Sequence, residues 1–275
     1  MQRGKKPPNS EPLSGQSATL HSSRETLSSQ VADRVKVTAI NWGIPEKVLS
    51  ELTEENTTAA YAKGSVIFMQ GSPGDVLFWV LSGLVKVCYP VKNRERITVD
   101  FAGPGEMVGF SWLLDSNNRR TQAFEAHALT DCKLALMTHE RVIKVLETIE
   151  MATLVRLIGR LNSVWTKALQ TSVRRLGLDP RTRLFEVLAD LSARFGAKDA
   201  RGVMLIPELN QGDLADIIGC SRPAVTRFLK KMMADGILER SGKHYILLGH
   251  GELARAGAIT RINPKRFGEE SATIR

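Results

Sequence analysis

Hydrophobic and polar positions change their period along the chain. Residues 31–60 repeat with a helical spacing, and a short helix is expected near Ile44–Glu55, with Pro45 in its first turn. From Gly64 to Met137 the pattern shortens to β-rich runs separated by turn residues. The runs are Ser65–Met69, Val76–Leu81, Leu84–Tyr89, Arg96–Phe101, Gln122–Ala128 and Cys132–Met137, punctuated by Gly71, Gly74, Gly83, Gly103, Gly105 and Gly109. Short strands at regular spacing predict an antiparallel sandwich or barrel, a body that often encloses a ligand pocket. A long helix is expected next, over 139–175. In it Met151, Leu154, Ile158, Leu161, Trp165 and Ala168 recur at spacings of 3, 4, 3, 4 and 3, a heptad seam. Val155, Leu157, Val164 and Leu169 add a second apolar flank. A helix apolar on two sides must pack against two things. The β body is one, and a second copy of the same helix is the natural other, so the six seam residues are expected to form a dimer interface.

The ends of the chain carry no such pattern. Residues 1–30 contain seven Ser, three Pro and two Gly and no aromatic residue, the composition of a disordered extension. Residues 249–275, interrupted by Gly251, Gly257, Pro264 and Gly268, read as a flexible basic tail.

Residues 211–230 carry a pattern of a different kind. Ala215 sits where two helices would approach closely, and Gly219, four residues on, sits at a turn that needs positive φ. Leu214, Ile218, Cys220, Val225 and Phe228 fit the small core between two such helices. Asn210 is placed to cap the first helix and Ser221 the second. Pro223 follows that cap by two residues, in the first turn, where no intrahelical donor is lost. Helix starts, turn and core agree on a helix-turn-helix. Its second helix presents Arg222, Thr226, Arg227, Lys230 and Lys231 outward. Arg suits the O6/N7 edge of guanine, whereas Lys and Ser more often hold phosphates. The following segment, Gly236–Leu248, reads as two short strands around Ser241–Gly242, a wing with Lys243 and His244 near its tip.

Composition narrows the reading. The 275 residues are 43% hydrophobic and 24% charged, enough to bury a core. The longest purely apolar run, Val76–Leu81, is six residues, far short of the roughly 20 of a membrane-spanning helix. No apolar signal segment stands at the N-terminus, and Cys88, Cys132 and Cys220 are too widely separated for a disulfide framework or a CxxC metal site. A cytoplasmic protein without a membrane or metal partner is expected. The net charge of +9 is unevenly spread. Residues 31–137 hold 11 basic and 12 acidic groups, 138–178 hold 7 and 3, and 220–243 hold 6 and 2. Positive charge thus gathers in the second half, as a polyanionic partner requires. No G-x-S-x-G, H-E-x-x-H or P-loop occurs, so an enzyme is not expected.

From about residue 60 to 248 the chain resembles the cyclic-AMP receptor protein/fumarate-nitrate regulator (Crp–Fnr) family. The stretches that carry the resemblance are Gly71–Asp75, Val80–Lys86, Gly103–Gly109, Asp179 at a hinge, and Ile218–Val225. It implies an α+β chain: a disordered extension over 1–30, an antiparallel β-roll sensor domain of the cyclic-nucleotide-binding, double-stranded β-helix type over 31–138, a dimerisation helix over 139–177, a winged helix-turn-helix over 178–248, and the tail. It also implies a homodimer that binds a two-fold related site on double-stranded DNA and alters transcription, with RNA polymerase as a further partner. Arg222 and Arg227 match the family's base-reading arginines, and Ser221, Gln211 and Lys230 match phosphate-contacting positions; Thr226 and Lys231, outward on the second helix, and Lys243, near the wing tip, are further candidates for holding phosphates and register. Pro223 stands where a Glu is common, so the half-site should differ from that of the cyclic-AMP receptor.

The family's nucleotide pocket corresponds here to Gly109, Phe110, Arg120, Thr121, Ala168 and Leu169. Phe110 replaces the Glu that accepts from the ribose hydroxyl, and Ala168-Leu169 replace the polar pair that contacts adenine. Two of three polar anchors are missing. At roughly 1–3 kcal/mol for each unmet buried polar group, cyclic AMP is not expected as a tight effector. Arg120 and Thr121 could hold a phosphate or carboxylate of another ligand, or Arg120 could pair with a nearby acid in a vestigial pocket. Phe110, Trp112 and Phe124 could line an apolar pocket or simply fill the core. The family's iron–sulfur branch needs an N-terminal cysteine cluster, and no cysteine precedes Cys88, so no such cluster is expected. Haem sensing through His127, His139 or Cys88, or thiol redox sensing through Cys88, is the alternative mode of control. No cofactor is assigned.

Overall fold

The computed structural model describes residues 57–91, 96–111 and 121–248. The extension over 1–30, the helix expected near Ile44–Glu55, Trp112, Arg120 and the tail over 249–275 lie outside them.

The N-terminal half is built from eight strands: β1 (Thr57–Tyr61), β2 (Val66–Phe68), β3 (Val76–Ser82), β4 (Val85–Pro90), β5 (Arg96–Ala102), β6 (Met107–Val108), β7 (Glu125–Ala128) and β8 (Cys132–Thr138). They form two antiparallel four-stranded sheets, in the orders β1-β8-β3-β6 and β2-β7-β4-β5. The inner faces bury Val80, Val85, Phe78, Ala126 and Leu134 between the sheets. The six expected strands are present with ends shifted by a few residues. Two further strands flank them. Thr57–Tyr61, expected at the end of a helical stretch, is β1 and pairs with Leu136–Cys132 of β8. Its Thr-Thr-Ala-Ala-Tyr sequence alternates exposed and buried positions up to Tyr61, and the free edge of β8 offers it a ladder. β6 is two residues long, too short for a periodic signal.

The helix expected over 139–175 is two helices, α1 (His139–Thr148) and α2 (Met151–Leu176). Ile149 and Glu150 are extended, with ψ of 137° and 141°. Thr148 turns its hydroxyl onto the carbonyl of Val145 at 2.8 Å, and the β-branched pair Thr148-Ile149 gives the helix little support. Ahead of the break α1 buries Val142 and Val145 against Leu77, Trp79 and Met137, and Leu157 of α2 packs on the same cluster.

After a short hinge come α3 (Pro180–Phe195), β9 (Gly196–Asp199), β10 (Gly202–Leu205), α4 (Gln211–Ile218), α5 (Arg222–Ala234), β11 (Leu238–Ser241) and β12 (His244–Leu248). The wing is a four-stranded sheet in the order β11-β12-β10-β9, twice the two strands expected. The β-roll and this C-terminal unit share one hydrophobic cluster: Leu84, Phe101 and Leu129 of the roll pack with Leu184, Leu188, Leu205 and Leu214.

Candidate effector pocket and nucleic-acid interface

The α4–α5 motif is held by local chemistry. Asn210 caps α4, accepting from the amides of Gly212 and Asp213 at 2.7 and 2.9 Å, while the Asp213 carboxylate accepts from the Asn210 amide at 2.7 Å. Gly219 ends α4 with φ of 66°, a conformation cheap only for glycine. Leu214, Ala215, Ile218 and Val225 are buried between the helices. Cys220 and Phe228 are half-buried against the same cluster. Pro223 lies in the first turn of α5.

Ser221 occupies the N-cap position of α5, but its side chain makes no capping hydrogen bond. That correction leaves the hydroxyl, beside the first turn of the helix, available to an anion. Arg222, Arg227 and Lys230 are exposed, and their charged groups make no hydrogen bond or ion pair to another described residue. Thr226 and Gln211 are joined, the hydroxyl donating to Gln211 Oε1 at 2.7 Å, which ties the recognition helix to the start of α4. Lys231 pairs with Asp235 at 3.0 Å and Lys243 with Glu208 at 3.1 Å. Both pairs are exposed and worth about 0–1 kcal/mol, so a phosphate can replace the carboxylate at little cost. Lys243 is in the wing turn, whereas His244 is drawn in, its Nδ1 3.1 Å from the Leu205 carbonyl.

The second site lies between the β-roll, α2 and α3. A cavity of about 420 Å³ is lined by roll residues including Gly109, Phe110, Ser111, Gln122 and Phe124, by Arg160, Trp165, Lys167, Ala168 and Thr171 of α2, and by Asp190 and Arg194 of α3. Gly109 has φ of 83°, and a Cβ there would come within about 3.3 Å of Phe68, Phe78 and Gln122, so the turn that shapes the rim needs glycine. Trp165 stands edge-on to Phe124 at 4.7 Å and to Phe110 at 6.3 Å between ring centroids. Phe110 and Phe124 thus line the cavity with an indole that composition alone did not single out for it. Of the pocket positions expected from the resemblance, Gly109, Phe110 and Ala168 line the cavity. Thr121 lies outside the lining and bridges Pro73. Leu169 is 56% exposed, on another side of α2, because a residue next to buried Ala168 is turned by about 100°. No polar side chain stands at Phe110 or Ala168.

Leu161 and Ala168 are buried against the chain's own roll, and Trp165 joins the aromatic cluster, so half of the expected dimer seam is intramolecular. Leu154 is half-buried, whereas Met151 and Ile158 are exposed. Val155, Leu169, Val173 and Leu176 are exposed beside them on α2.

The pocket abuts the joint between roll and C-terminal unit. Arg194 donates to Asp100 at 2.7 Å, to the Phe101 carbonyl at 2.5 Å and to Glu106 at 3.0 Å. Burial works against the Arg194 charge, but Asp100 and Glu106 outweigh it and keep the guanidinium protonated. Burial pushes the Glu106 carboxyl above its ordinary range in spite of Arg194. Lys63 pairs with Asp213 at 2.5 Å and Lys86 with Asp216, fastening α4 to the roll. At the other end of α2, Arg174 pairs with Glu186, and Arg175 with Asp190 at 2.9 Å. Arg183 donates to the carbonyls of Arg175, Leu178 and Ile218 at 2.8–2.9 Å, joining the end of α2 to the turn of the helix-turn-helix. Sequence reasoning missed this arginine because its partners are backbone carbonyls, which leave no pattern of side chains to read, and one of them, Ile218, lies 35 residues away.

Cys88 and Cys220 sit where the thiolate is disfavoured. Cys88 is fully buried and its thiol is pushed up to about 11 by that burial. Burial also raises Cys220, despite Arg183 and Arg227 nearby. A reactive cysteine needs the opposite environment. His127 is held 3.0 Å from Glu125, and His139 opens α1.

A cyclic nucleotide-binding domain model matches residues 58–149, and a Crp-like helix-turn-helix domain model matches residues 182–263. The CRP-like protein Clp of Xanthomonas campestris is 28% identical over 194 residues, covering 69% of this chain and 83% of its own. The structure of the c-di-GMP-responsive global regulator CLP of Xanthomonas campestris superposes with a TM-score of 0.59 at 26% identity, over 74% of this chain and all of that one. FixK2 of Bradyrhizobium japonicum shares the fold, with a TM-score of 0.60 at 21% identity over 73% of this chain and 96% of its own. Two family models in the right order, a fold shared over 74% of the chain and an α4–α5 motif with its cap, turn and core in place lead to one assignment: the chain belongs to the Crp–Fnr family of transcription regulators.

Proposed function

We propose that the protein works as a homodimer that binds a two-fold symmetric DNA site in the cytoplasm, under control of an effector other than cyclic AMP or with no effector at all. The observation that carries the reading is the pair Arg222 and Arg227, exposed on α5 and with no ion pair to another described residue. There they suit bidentate contact with guanine edges, with Ser221, Gln211, Thr226, Lys230, Lys231 and Lys243 set to hold phosphates and register. Two such helices about 34 Å apart would meet successive major grooves. RNA polymerase is the further partner this activity requires.

The pocket supports an effector that joins a flat aromatic ring to an anion. Phe110, Phe124 and Trp165 offer the ring a surface, and Arg160 and Lys167 stand on the α2 side of the cavity. The relative described as c-di-GMP-responsive makes that dinucleotide the first probe. Bound there, an effector touches α2 and α3 together, and α2 leads through Arg174, Arg175 and Arg183 to the helix-turn-helix.

The test is selection of DNA from a random pool by the purified protein, alone and with cyclic AMP or cyclic di-GMP. A two-fold symmetric consensus is expected. Enrichment without nucleotide marks a constitutive binder, and enrichment only with the dinucleotide marks an effector-dependent one. Failure to enrich any sequence under every condition would refute the reading. Submicromolar cyclic AMP binding by calorimetry would refute the exclusion of that ligand.

A further inference from the structure

The solvent side of α2 carries Met151, Val155, Ile158, Leu169, Val173 and Leu176, each between 49% and 73% exposed. At about 100° per residue all six fall within roughly 40° of one line along the helix. The line is broken at a single layer pair near its middle. Asn162, four residues after Ile158 and seven before Leu169, occupies the position in register with it. Asn162 is exposed, and its carboxamide makes no hydrogen bond to another described residue. The residues beside the stripe on its open side, Gly159, Ser163, Thr166 and Gln170, are uncharged. Ion pairs along that flank, the common device for setting the alignment of paired helices, are therefore unavailable.

We propose that Asn162 is the register-setting residue of the dimer: it meets the same residue of a second copy at the two-fold axis and pairs carboxamide to carboxamide. The inference rests on the homodimer reading above. Burying six large apolar side chains in the seam also buries Asn162, and a carboxamide removed from water needs a partner. In a parallel pair in correct register, each Asn162 supplies the other with a donor and an acceptor. A slip of one heptad would face Asn162 with Val155 or Leu169 and leave both carboxamides unpaired. That slip displaces one helix by about 10 Å along the axis, at 1.5 Å per residue. It would carry one recognition helix out of step with the other, whereas a two-fold DNA site requires both at one spacing. Antiparallel pairing is excluded by the same requirement. The DNA-reading units follow the C-terminal end of a helix about 39 Å long, and antiparallel helices would send them to opposite ends.

The experiment uses the full chain. Asn162→Cys, under mild oxidation, is expected to give a covalent dimer in high yield, because facing residues at such a layer lie within disulfide reach. Gln170→Cys, at the side of the stripe, and the parent chain serve as controls and should stay uncrosslinked. Asn162→Leu should remain folded by circular dichroism but lose the single arrangement. Light scattering is expected to show species beyond the dimer, and affinity for the symmetric site is expected to fall at least tenfold. A parent dimer in which Asn162→Cys does not crosslink would overturn the assignment, as would Asn162→Leu that stays a dimer with unchanged DNA affinity. A parent chain that is monomeric by light scattering would instead overturn the homodimer reading itself.

Discussion

Asp179 shows how one side chain governs the hinge. Its carboxylate accepts from the amides of Arg181 and Thr182 at 3.0 and 3.1 Å, and Pro180 pre-sets the first turn of α3. Partial burial opposes its charge, but the bonds from Thr182 and Arg181 outweigh that and hold the carboxyl below its ordinary range. Asp179→Ala is expected to cost about 1 kcal/mol, read as a lower urea midpoint. The pH dependence follows from the sign of the shift. A carboxyl depressed in the folded state contributes its stability above the unfolded value, about 3.9, and loses it as pH falls through the folded value. Parent and Asp179→Ala should therefore differ at neutral pH and converge in strong acid. A gap that persists there would show that the cap is not what the alanine removes. On α5, Arg227→Ala should relax base discrimination by about 1–3 kcal/mol, measured on the selected site against single-base variants. Equal loss on specific and random DNA would assign Arg227 to phosphates instead.

At the scale of elements, two glycines separate what a turn needs from what a helix tolerates. Gly109 has positive φ and neighbours within about 3.3 Å of any added Cβ, so Gly109→Ala should destabilise the roll by more than 1 kcal/mol and distort the pocket rim. Gly159, in the middle of α2, has no atom within 4 Å of an added Cβ, so Gly159→Ala should stabilise the helix by roughly 1 kcal/mol. Thermal unfolding of both variants checks the contrast, and a destabilised Gly159→Ala would mean that something packs on that flank. The same elements show what the sequence makes legible. The Asn210 cap, the Gly219 turn and the Leu214–Val225 core were readable because each rests on residues a few positions apart. The face of α2 that meets the roll was not. Leu161 and Ala168 repeat with the same heptad spacing as Met151 and Ile158, and periodicity reports that two apolar lines exist without saying what covers each. The α1–α2 break was hidden because Thr148 and Ile149 are only mildly unfavourable in a helix. β9 and β10 were hidden because Gly196–Asp199 and Gly202–Leu205 lack the run of β-branched and aromatic residues that marks a strand. The pocket was half legible: its Phe110 and Ala168 positions were placed by motif spacing, but Asp190 and Arg194 reach it from a part of the chain some 80 residues away.

In the whole molecule, the DNA-reading unit is not a separate body on a tether but shares a core with the β-roll. Phe101, Leu84 and Leu129 pack into the cluster of α3 and α4, and Gly103 lets the Phe195 ring lie so close that a Cβ there would come within 2.2 Å of it. Arg194 closes the same joint through Asp100, Glu106 and the Phe101 carbonyl, at the wall of the pocket. A shared core makes unfolding cooperative across the two units, so the parent chain should show one calorimetric transition. Arg194→Ala removes a guanidinium that is only 25% exposed and has three partners, and leaves Asp100 and Glu106 without it. Its expected cost is roughly 2 kcal/mol, below the 3–5 of a fully buried pair because solvent reaches the site. Loss of that size at the joint, with both cores otherwise intact, should split the transition into two, the DNA-reading unit melting apart from the roll. Gly103→Ala should act in the same direction by pushing Phe195 away, although it touches no charge. If the two variants split the melt alike, the joint is held by packing and charge together. A split in Gly103→Ala alone would make the core contact the coupling element and Arg194 a surface pair. A single transition in both would show that the roll and the DNA-reading unit are coupled through α2 and the Arg183 hinge rather than through this joint.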